Sequence, residues 1–359
     1  MSNKNTYTAI MAGGAGTRFW PSSTENTPKQ FLDIMGMGKS LLRLTYERFL
    51  KLCPTENIFI VSNEKYRSLI KEQIPELTDD QIIGEPSRNN TAPCVAYTAF
   101  KAFKVNPYAN LVVAPSDHLI INEDDFINYI QKGLNFTENN DAIATLGLKP
   151  TRPATGYGYI KYGETKGDGI NALEEFTEKP DMETAQSFMN SGEYLWNSGI
   201  FLFRAKHILD EFEKNANEIY TILSQGAEVY NTPDESAFIN KFYPTTPNIS
   251  IDYAIMEKTK NAVTIPADLN WSDLGTWTSL FEIAAKDEDE NVSQGNIILN
   301  DCKNSFVRVP DDQVAVIKGL DDYIVVNENN VLLIYPKPEE QAIKAVRASV
   351  KDQFGEQFI

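Results

Sequence analysis

Residues 7–21 read YTAIMAGGAGTRFWP. The first six are apolar or small and do not alternate, as expected of a short strand buried on both faces. Three glycines in four positions, Gly13, Gly14 and Gly16, follow at once. Glycine lets the backbone approach a ligand closely and point several N–H groups at it, and phosphate is the natural guest of such a nest. Thr17 adds a hydroxyl and Arg18 a charged fork for phosphate oxygens. The same glycines also suit a plain strand-to-helix turn. Two familiar phosphate motifs fail on residues. A G-x-G-x-x-G fingerprint starting at Gly14 meets Phe19 where its third glycine belongs, and one starting at Gly13 meets Ala15 at the second. A P-loop ending in Gly38-Lys39-Ser40 has Asp33 at its first glycine position, with no apolar strand leading into it.

Outward from this loop, helical and strand patterns alternate. LLRLTYERFLKL (41–52) and residues 64–74 have helical spacing, and IFIVS (58–62) reads as a strand. Residues 91–104 suit a helix with Ala92, Ala96, Ala99 and Ala102 near its packing side, followed by strands at 110–114 and 142–148. This alternation predicts an α/β fold, a Rossmann-like, mainly parallel sheet covered by helices. Residues 155–203 read as short β pieces rich in Gly and Tyr, with helical character at 206–214, 252–258 and 276–285. DEDEN (287–291) reads as a solvated linker, and it lacks the spaced ligands and glycine of a calcium loop. Beyond it NIILN, SFVRV, QVAVIKGL and YIVVNENNVLLIYP form short strands at near-regular spacing, with Asn329-Asn330 as a tight turn and a helix over about 338–352. The division expected is a domain over 1–286 and a small β-rich, short β-helix-like domain over 292–359.

Composition bounds the function. The chain has 359 residues, which suggests about two domains. With 33 Lys and Arg against 50 Asp and Glu its formal charge is −17, a poor match for nucleic acid or an anionic membrane. Cys53, Cys94 and Cys302 are far apart and match no zinc spacing, and the two histidines are too few for a His-rich metal site. No stretch approaches the length of a membrane span, and the N-terminus does not read as a signal peptide. A cytoplasmic protein is expected.

GGAGTRFWP (13–21) with Pro28-Lys29-Gln30-Phe31 resembles the paired signature of the sugar nucleotidyltransferases, most closely the mannose-1-phosphate guanylyltransferase (GDP-mannose pyrophosphorylase) family. The likeness continues in order through EPSRNNTAP (85–93), APSDH (114–118), TGYGYI (155–160), FTEKP (176–180), WNSGIF (196–201) and WSDLGTW (271–277). It covers about residues 7–285, and the β-rich tail also looks like the family's C-terminal domain. The resemblance implies transfer of GMP from GTP to mannose 1-phosphate, giving GDP-mannose and pyrophosphate. Rival readings are another hexose 1-phosphate or base, and a non-catalytic nucleotide-sugar-sensing subunit.

The resemblance also implies roles. Gly13, Gly14, Gly16, Thr17, Arg18 and Ser116 hold the nucleotide, and Lys29 with Arg18 neutralises its triphosphate. Asp117 and Asp273 ligate Mg²⁺, a hard cation that keeps waters and bridges phosphates. Glu85, Asn90 and Thr91 read the base: guanine offers N1–H and N2–H₂, so an acceptor suits its edge. The family often has a basic residue just before the Asn-Thr pair, where this chain has Asn89 with Arg88 one earlier. Tyr157, Gly158, Glu178, Asn197 and Gly199 face the sugar, and Lys179 takes its phosphate. The attacking oxygen is already anionic at neutral pH, so no general base is required. A homodimer is expected, with residues 292–359 contributing to its interface or bracing the catalytic domain, because so small a β segment is marginal alone.

Overall fold

The structure, a computed structural model, describes residues 4–14 and 16–359. Among them, nine strands form one sheet: β1 (Thr6–Met11), β2 (Ile58–Asn63), β3 (Ile82–Glu85), β4 (Asn110–Pro115), β6 (Ile143–Leu148), β7 (Gly158–Gly167), β8 (Ile170–Glu178), β9 (Tyr194–Arg204) and β10 (Ala262–Ala267). The two-residue β5 (Leu119–Ile120) lies outside it. The order is β3-β2-β1-β4-β9-β6-β10-β8-β7. β1 runs parallel to β2 and β4, β2 to β3, and β6 to β10, while β9 is antiparallel to β4 and β6 and the β7–β8 hairpin is antiparallel. β8 is also antiparallel to β10. Seven strands therefore share one direction, and only β8 and β9 oppose them. The sheet is mainly parallel, as its non-alternating apolar strands predict.

By its internal packing the chain divides into two compact units, and not at the expected linear boundary of 286–292. The first comprises residues up to 13, 46–116 and 120–270; the second comprises 14–45, 117–119 and 271–359. The physical reason lies in the second unit's own core. Phe19, Trp20 and Ile34 pack in one apolar cluster with Trp277, Phe281, Phe306, Ile324, Val326 and Leu333. The segment after the glycine loop thus buries its aromatic side chains against the C-terminal strands.

In the first unit, helix α1 (Leu41–Phe49) begins outside the unit and ends within it, and is followed by α2 (Arg67–Gln73) and α3 (Thr91–Val105). Ala92, Ala96, Ala99 and Ala102 are wholly buried, so α3 packs through its small side chains. Helices α4 (Glu123–Asn139), α5 (Met182–Ser191), α6 (Ala205–Asn215), α7 (Asn217–Ser224) and α8 (Glu235–Phe242) complete the set. Of these, only α6 matches an expected helix. α5 interrupts the stretch read as β pieces: Asp181 accepts the Thr184 N–H at 2.8 Å as an N-cap, and Gly192 closes the helix with φ 71°. Residues 252–256 form a single π turn rather than an α-helix.

The second unit carries the two-residue β11 (Trp271–Ser272), α9 (Trp277–Ile283), strands β12 (Val292–Gln294), β13 (Asn296–Asn300), β14 (Phe306–Arg308), β15 (Val314–Lys318), β16 (Tyr323–Glu328) and β17 (Val331–Pro336), and α10 (Ile343–Phe354). β12, β14 and β16 stack in parallel, β13 pairs with β15 in parallel, and β16–β17 is a hairpin. Parallel rungs on two faces are the short β-helix-like arrangement expected. Asn329 (φ 53°) and Asn330 (φ 61°) occupy the left-handed positions of its tight turn. The Asn329 amide donates to Pro21 O at 2.8 Å, and the Arg308 guanidinium donates to Asp33 O at 3.3 Å and Ile34 O at 3.2 Å. The Trp20 indole donates to Phe358 O at 2.7 Å. The C-terminal strands and tail therefore grip both flanks of the PKQF segment.

Candidate active site

The predicted site residues fall into two constellations, one in each unit. In the second unit, Gly16 lies against the segment that carries Lys29. A Cβ at Gly16 would meet Lys29 Cβ at 2.6 Å, and the residue has φ 56°, so both space and backbone demand glycine. The Gln30 amide donates to Gly14 O at 3.3 Å. The two halves of the signature, 13–21 and 28–31, are thus one structural object.

Lys29 is 4% exposed. Its ammonium lies 2.8 Å from Asp117 Oδ2 and donates to Asp273 O and Leu274 O, each at 2.9 Å. An ammonium has three protons, and these are three acceptors. The role these contacts define is structural: Lys29 staples the two carboxylate-bearing segments to each other. Gly16, Arg18, Phe19, Lys29, Asp117, His118, Asp273 and Gly275 line a cavity of about 180 Å³. Arg18 is exposed there. Burial pushes the Asp117 carboxyl up, but Lys29 and His118 more than offset it and hold the group below the usual range, so it is ionised at neutral pH. Asp273 Oδ1 accepts the Gly275 N–H at 3.0 Å. His118 accepts the Trp271 indole N–H at 3.2 Å, in keeping with a local packing role.

Two carboxylates share this cavity, and among the described residues no group of three or more His, Cys, Asp or Glu side chains is suited to a metal ion. A donor set of two hard oxygens fits a cation that leaves most of its shell to water and phosphate. It does not fit a protein cage for zinc or calcium.

The first unit carries the remaining candidates. Glu85, the last residue of β3, accepts a hydrogen bond from the Tyr243 hydroxyl. Burial raises its carboxyl to about 7, with Tyr243 pulling the other way. Asn90 (φ 66°) caps α3, its side chain accepting the Thr91 N–H at 2.9 Å. The Thr91 hydroxyl accepts the Ile251 N–H at 2.9 Å. Asn89 is buried and donates to Tyr243 O, Thr246 O and Thr246 Oγ1 at 2.8–3.1 Å. The asparagine at the position the resemblance gives to a basic residue is thus a clamp for the loop, and Arg88 points to the Tyr66 hydroxyl at 3.4 Å. Ser116 is fully buried, its N–H donating to Met11 O at 3.1 Å.

The sugar-side candidates converge. Tyr157 packs edge-on against Trp196 with ring centroids 5.0 Å apart, and Tyr157 O accepts the Lys179 N–H at 3.2 Å. A Cβ at Gly158 would lie 2.6 Å from Glu178 Oε2 and 3.4 Å from Asn197 Cβ. Glu178, 8% exposed, is ion-paired with Lys179, whose φ of 50° is a strained conformation for a non-glycine residue. Asn197 Oδ1 accepts the N–H of Gly199 at 3.2 Å. Two carboxylates absent from the expectations join them: Asp252, which accepts from Asn197 at 3.2 Å, and Glu257, which accepts the Glu178 N–H at 3.2 Å.

The first constellation offers phosphate-sized space among two cations and two carboxylates; the second offers hydroxyl acceptors beside an ammonium. Residues 7–290 match the nucleotidyl transferase family. The chain is 38% identical over 342 residues to the mannose-1-phosphate guanylyltransferase RfbM of Salmonella typhimurium, covering 94% of this chain and 71% of that protein. It is 36% identical over 365 residues to the mannose-1-phosphate guanylyltransferase of Escherichia coli K12, covering 98% and 74%. A solved structure from Thermus thermophilus, described as a mannose-1-phosphate geranyltransferase, superposes with TM-score 0.88 at 28% identity, covering 97% of this chain and 99% of that one. With the match spanning most of its length and the signature residues gathered as the fold requires, the chain belongs to the nucleotidyl transferase family.

Proposed function

We propose that this chain transfers GMP from GTP to mannose 1-phosphate, releasing GDP-mannose and pyrophosphate. The observation that carries the reading is the shared cavity of Arg18, Lys29, Asp117 and Asp273, two cations and two carboxylates around a space of phosphate size. The named guanylyltransferase relatives support the choice of GTP and mannose 1-phosphate.

The residues divide the work by chemistry. Gly13, Gly14, Gly16 and Thr17 hold the nucleotide's phosphates, Arg18 supplies the exposed positive charge, and Ser116, fully buried, ties the ends of β1 and β4 together rather than touching the nucleotide. Glu85 accepts from guanine, with Asn90 and Thr91 shaping the loop beside it. Glu178, Asn197, Gly199, Tyr157 and Gly158 hold the hexose, and Lys179 leaves Glu178 for the sugar phosphate. Asp117 and Asp273 would hold Mg²⁺, which neutralises charge on the leaving pyrophosphate when bound. Lys29, paired with the Asp117 carboxylate and bonded to the main-chain carbonyls of Asp273 and Leu274, ties the two carboxylate-bearing segments together. Catalysis then rests on positioning and charge, since the nucleophile arrives ionised.

Five apolar side chains of the C-terminal strands, Ile298, Val314, Val316, Leu332 and Ile334, are 52–71% exposed. Exposed apolar rows on short strands are covered by partners in natural proteins, and we assign these to a homodimer. Among the described residues no helix is long and apolar enough to cross a membrane, and a cytoplasmic location fits the proposed substrates.

The metal and phosphate assignments predict that Asp117→Asn and Asp273→Asn lower turnover by about 10²–10³ while moving GTP affinity much less. Turnover like that of the unaltered protein in both variants at saturating Mg²⁺ would contradict them.

A further inference from the structure

The π turn at 252–256 and the residue that closes it, Glu257, bring two carboxylates that the expected site lacks. Its wide hydrogen bond, Glu257 N–H to Asp252 O at 3.0 Å, puts Asp252 and Glu257 five residues apart at the two ends of one turn. Single π turns recur at functional sites. Both carboxylates grip the sugar-side candidates. Glu257 Oε1 accepts the Glu178 N–H at 3.2 Å, and Asp252 Oδ1 accepts the Asn197 side-chain N–H at 3.2 Å. The turn is itself anchored, because the preceding Ile251 N–H donates to Thr91 Oγ1 at the start of α3.

The orientation of Asn197 follows from its partners. The Gly199 N–H, a donor only, lies 3.2 Å from Asn197 Oδ1, so that atom must be the carbonyl oxygen. The NH₂ end then faces Asp252, an acceptor. With Asp252 removed, one end of the carboxamide loses its anchor. Asp252 also faces Glu178 and Lys179; burial and then the charge of Glu178 raise its carboxyl to about 6, against the pull of Lys179.

We propose that Asp252 is a positioning residue for the sugar phosphate substrate, acting through Asn197: it holds the carboxamide with its N–H edge fixed and its carbonyl turned away. The inference rests on the proposed function and adds the residue that anchors the donor end of that carboxamide. The Gly199 N–H and the Thr145 hydroxyl, 3.0 Å from Oδ1, hold the carbonyl end, so Asp252 fixes the position of the N–H edge; a carboxamide held at one end only presents that edge less uniformly and accepts analogues more readily.

The test is a double-mutant cycle on the full chain, read by pyrophosphate release with separate KM values for GTP and mannose 1-phosphate. Asp252→Ala is expected to raise the mannose 1-phosphate KM about tenfold, the scale of one hydrogen bond to a charged group, with the GTP KM within about twofold. Asp252→Asn, which keeps an acceptor for Asn197, should recover most of the loss. In an Asn197→Ala background Asp252→Ala should add little, and the preference for mannose 1-phosphate over glucose 1-phosphate should fall in Asp252→Ala. Additive effects of the two substitutions, or equal losses for both substrates, would overturn the inference while leaving the functional reading intact. An unaltered protein that releases no pyrophosphate from GTP and mannose 1-phosphate would overturn both.

Discussion

Glu85 and Lys29 show what single residues in this fold decide. Glu85 is raised to about 7, first by burial, with the Tyr243 hydroxyl working against it. Below that pH it is protonated and a poor acceptor for guanine's N1–H and N2–H₂; above it the carboxylate is available. The KM for GTP should therefore fall about tenfold between pH 6 and pH 8, following the ionised fraction. Glu85→Gln should flatten that dependence. Tyr243→Phe removes the bond that favours the carboxylate, so it should move the transition upward. A GTP KM that ignores pH in the unaltered protein would remove Glu85 from base recognition. Lys29 makes a different prediction. Lys29→Met leaves Asp117 and two carbonyls without their donor, and should cost about 2–3 kcal/mol in chemical denaturation, below the full cost of breaking a buried pair because the Asp117 side chain is 30% exposed. A loss under about 1 kcal/mol would show that the staple is not holding the site. Most of the site was legible as ordered motifs. The staple was not, because Asp273 O and Leu274 O lie 244 and 245 residues from Lys29 and backbone carbonyls leave no mark in a sequence. Asp252 was hidden for a related reason: acids five residues apart lie on different faces of an α-helix, and only the π turn makes them work together.

At the scale of elements, local patterning identified the parallel strands and α3 because each is a run of apolar or alanine positions with one period. It missed α5, whose signals are an Asp181 cap and Gly192 rather than a strong apolar stripe. It also placed the domain boundary at the acidic linker, since composition changes there. The packing boundary lies elsewhere because Phe19, Trp20 and Ile34 share a core with β14, β16 and β17. The consequence is that the C-terminal strands support the signature segment. Arg308 ties β14 to Asp33 O and Ile34 O, and its guanidinium also pairs with Glu328 at 2.9 Å. Arg308→Ala should raise the KM for GTP several-fold through the loosened 28–35 segment, leave that for mannose 1-phosphate nearly unchanged, and lower Tm. Equal effects on the two substrates would mean that the strands do not support the nucleotide side in particular.

For the whole molecule, the exposed rows on β13, β15 and β17 make the oligomeric state a direct test of the surface. The full chain should scatter light as a dimer at micromolar concentration, and Val316→Lys with Leu332→Glu should shift it toward monomer while the far-UV spectrum is preserved. A monomeric unaltered chain would contradict the dimer. The net charge of −17 makes the surface as a whole a poor match for nucleic acid. The most direct measurement of the central claim is product formation by the full chain with Mg²⁺ across a matrix of GTP, ATP, UTP and dTTP against mannose 1-phosphate and glucose 1-phosphate. GTP with mannose 1-phosphate should give pyrophosphate and GDP-mannose at a kcat/KM well above every other pair. Preferred turnover of another nucleotide or hexose phosphate, or binding of GDP-mannose without turnover of any pair, would contradict it.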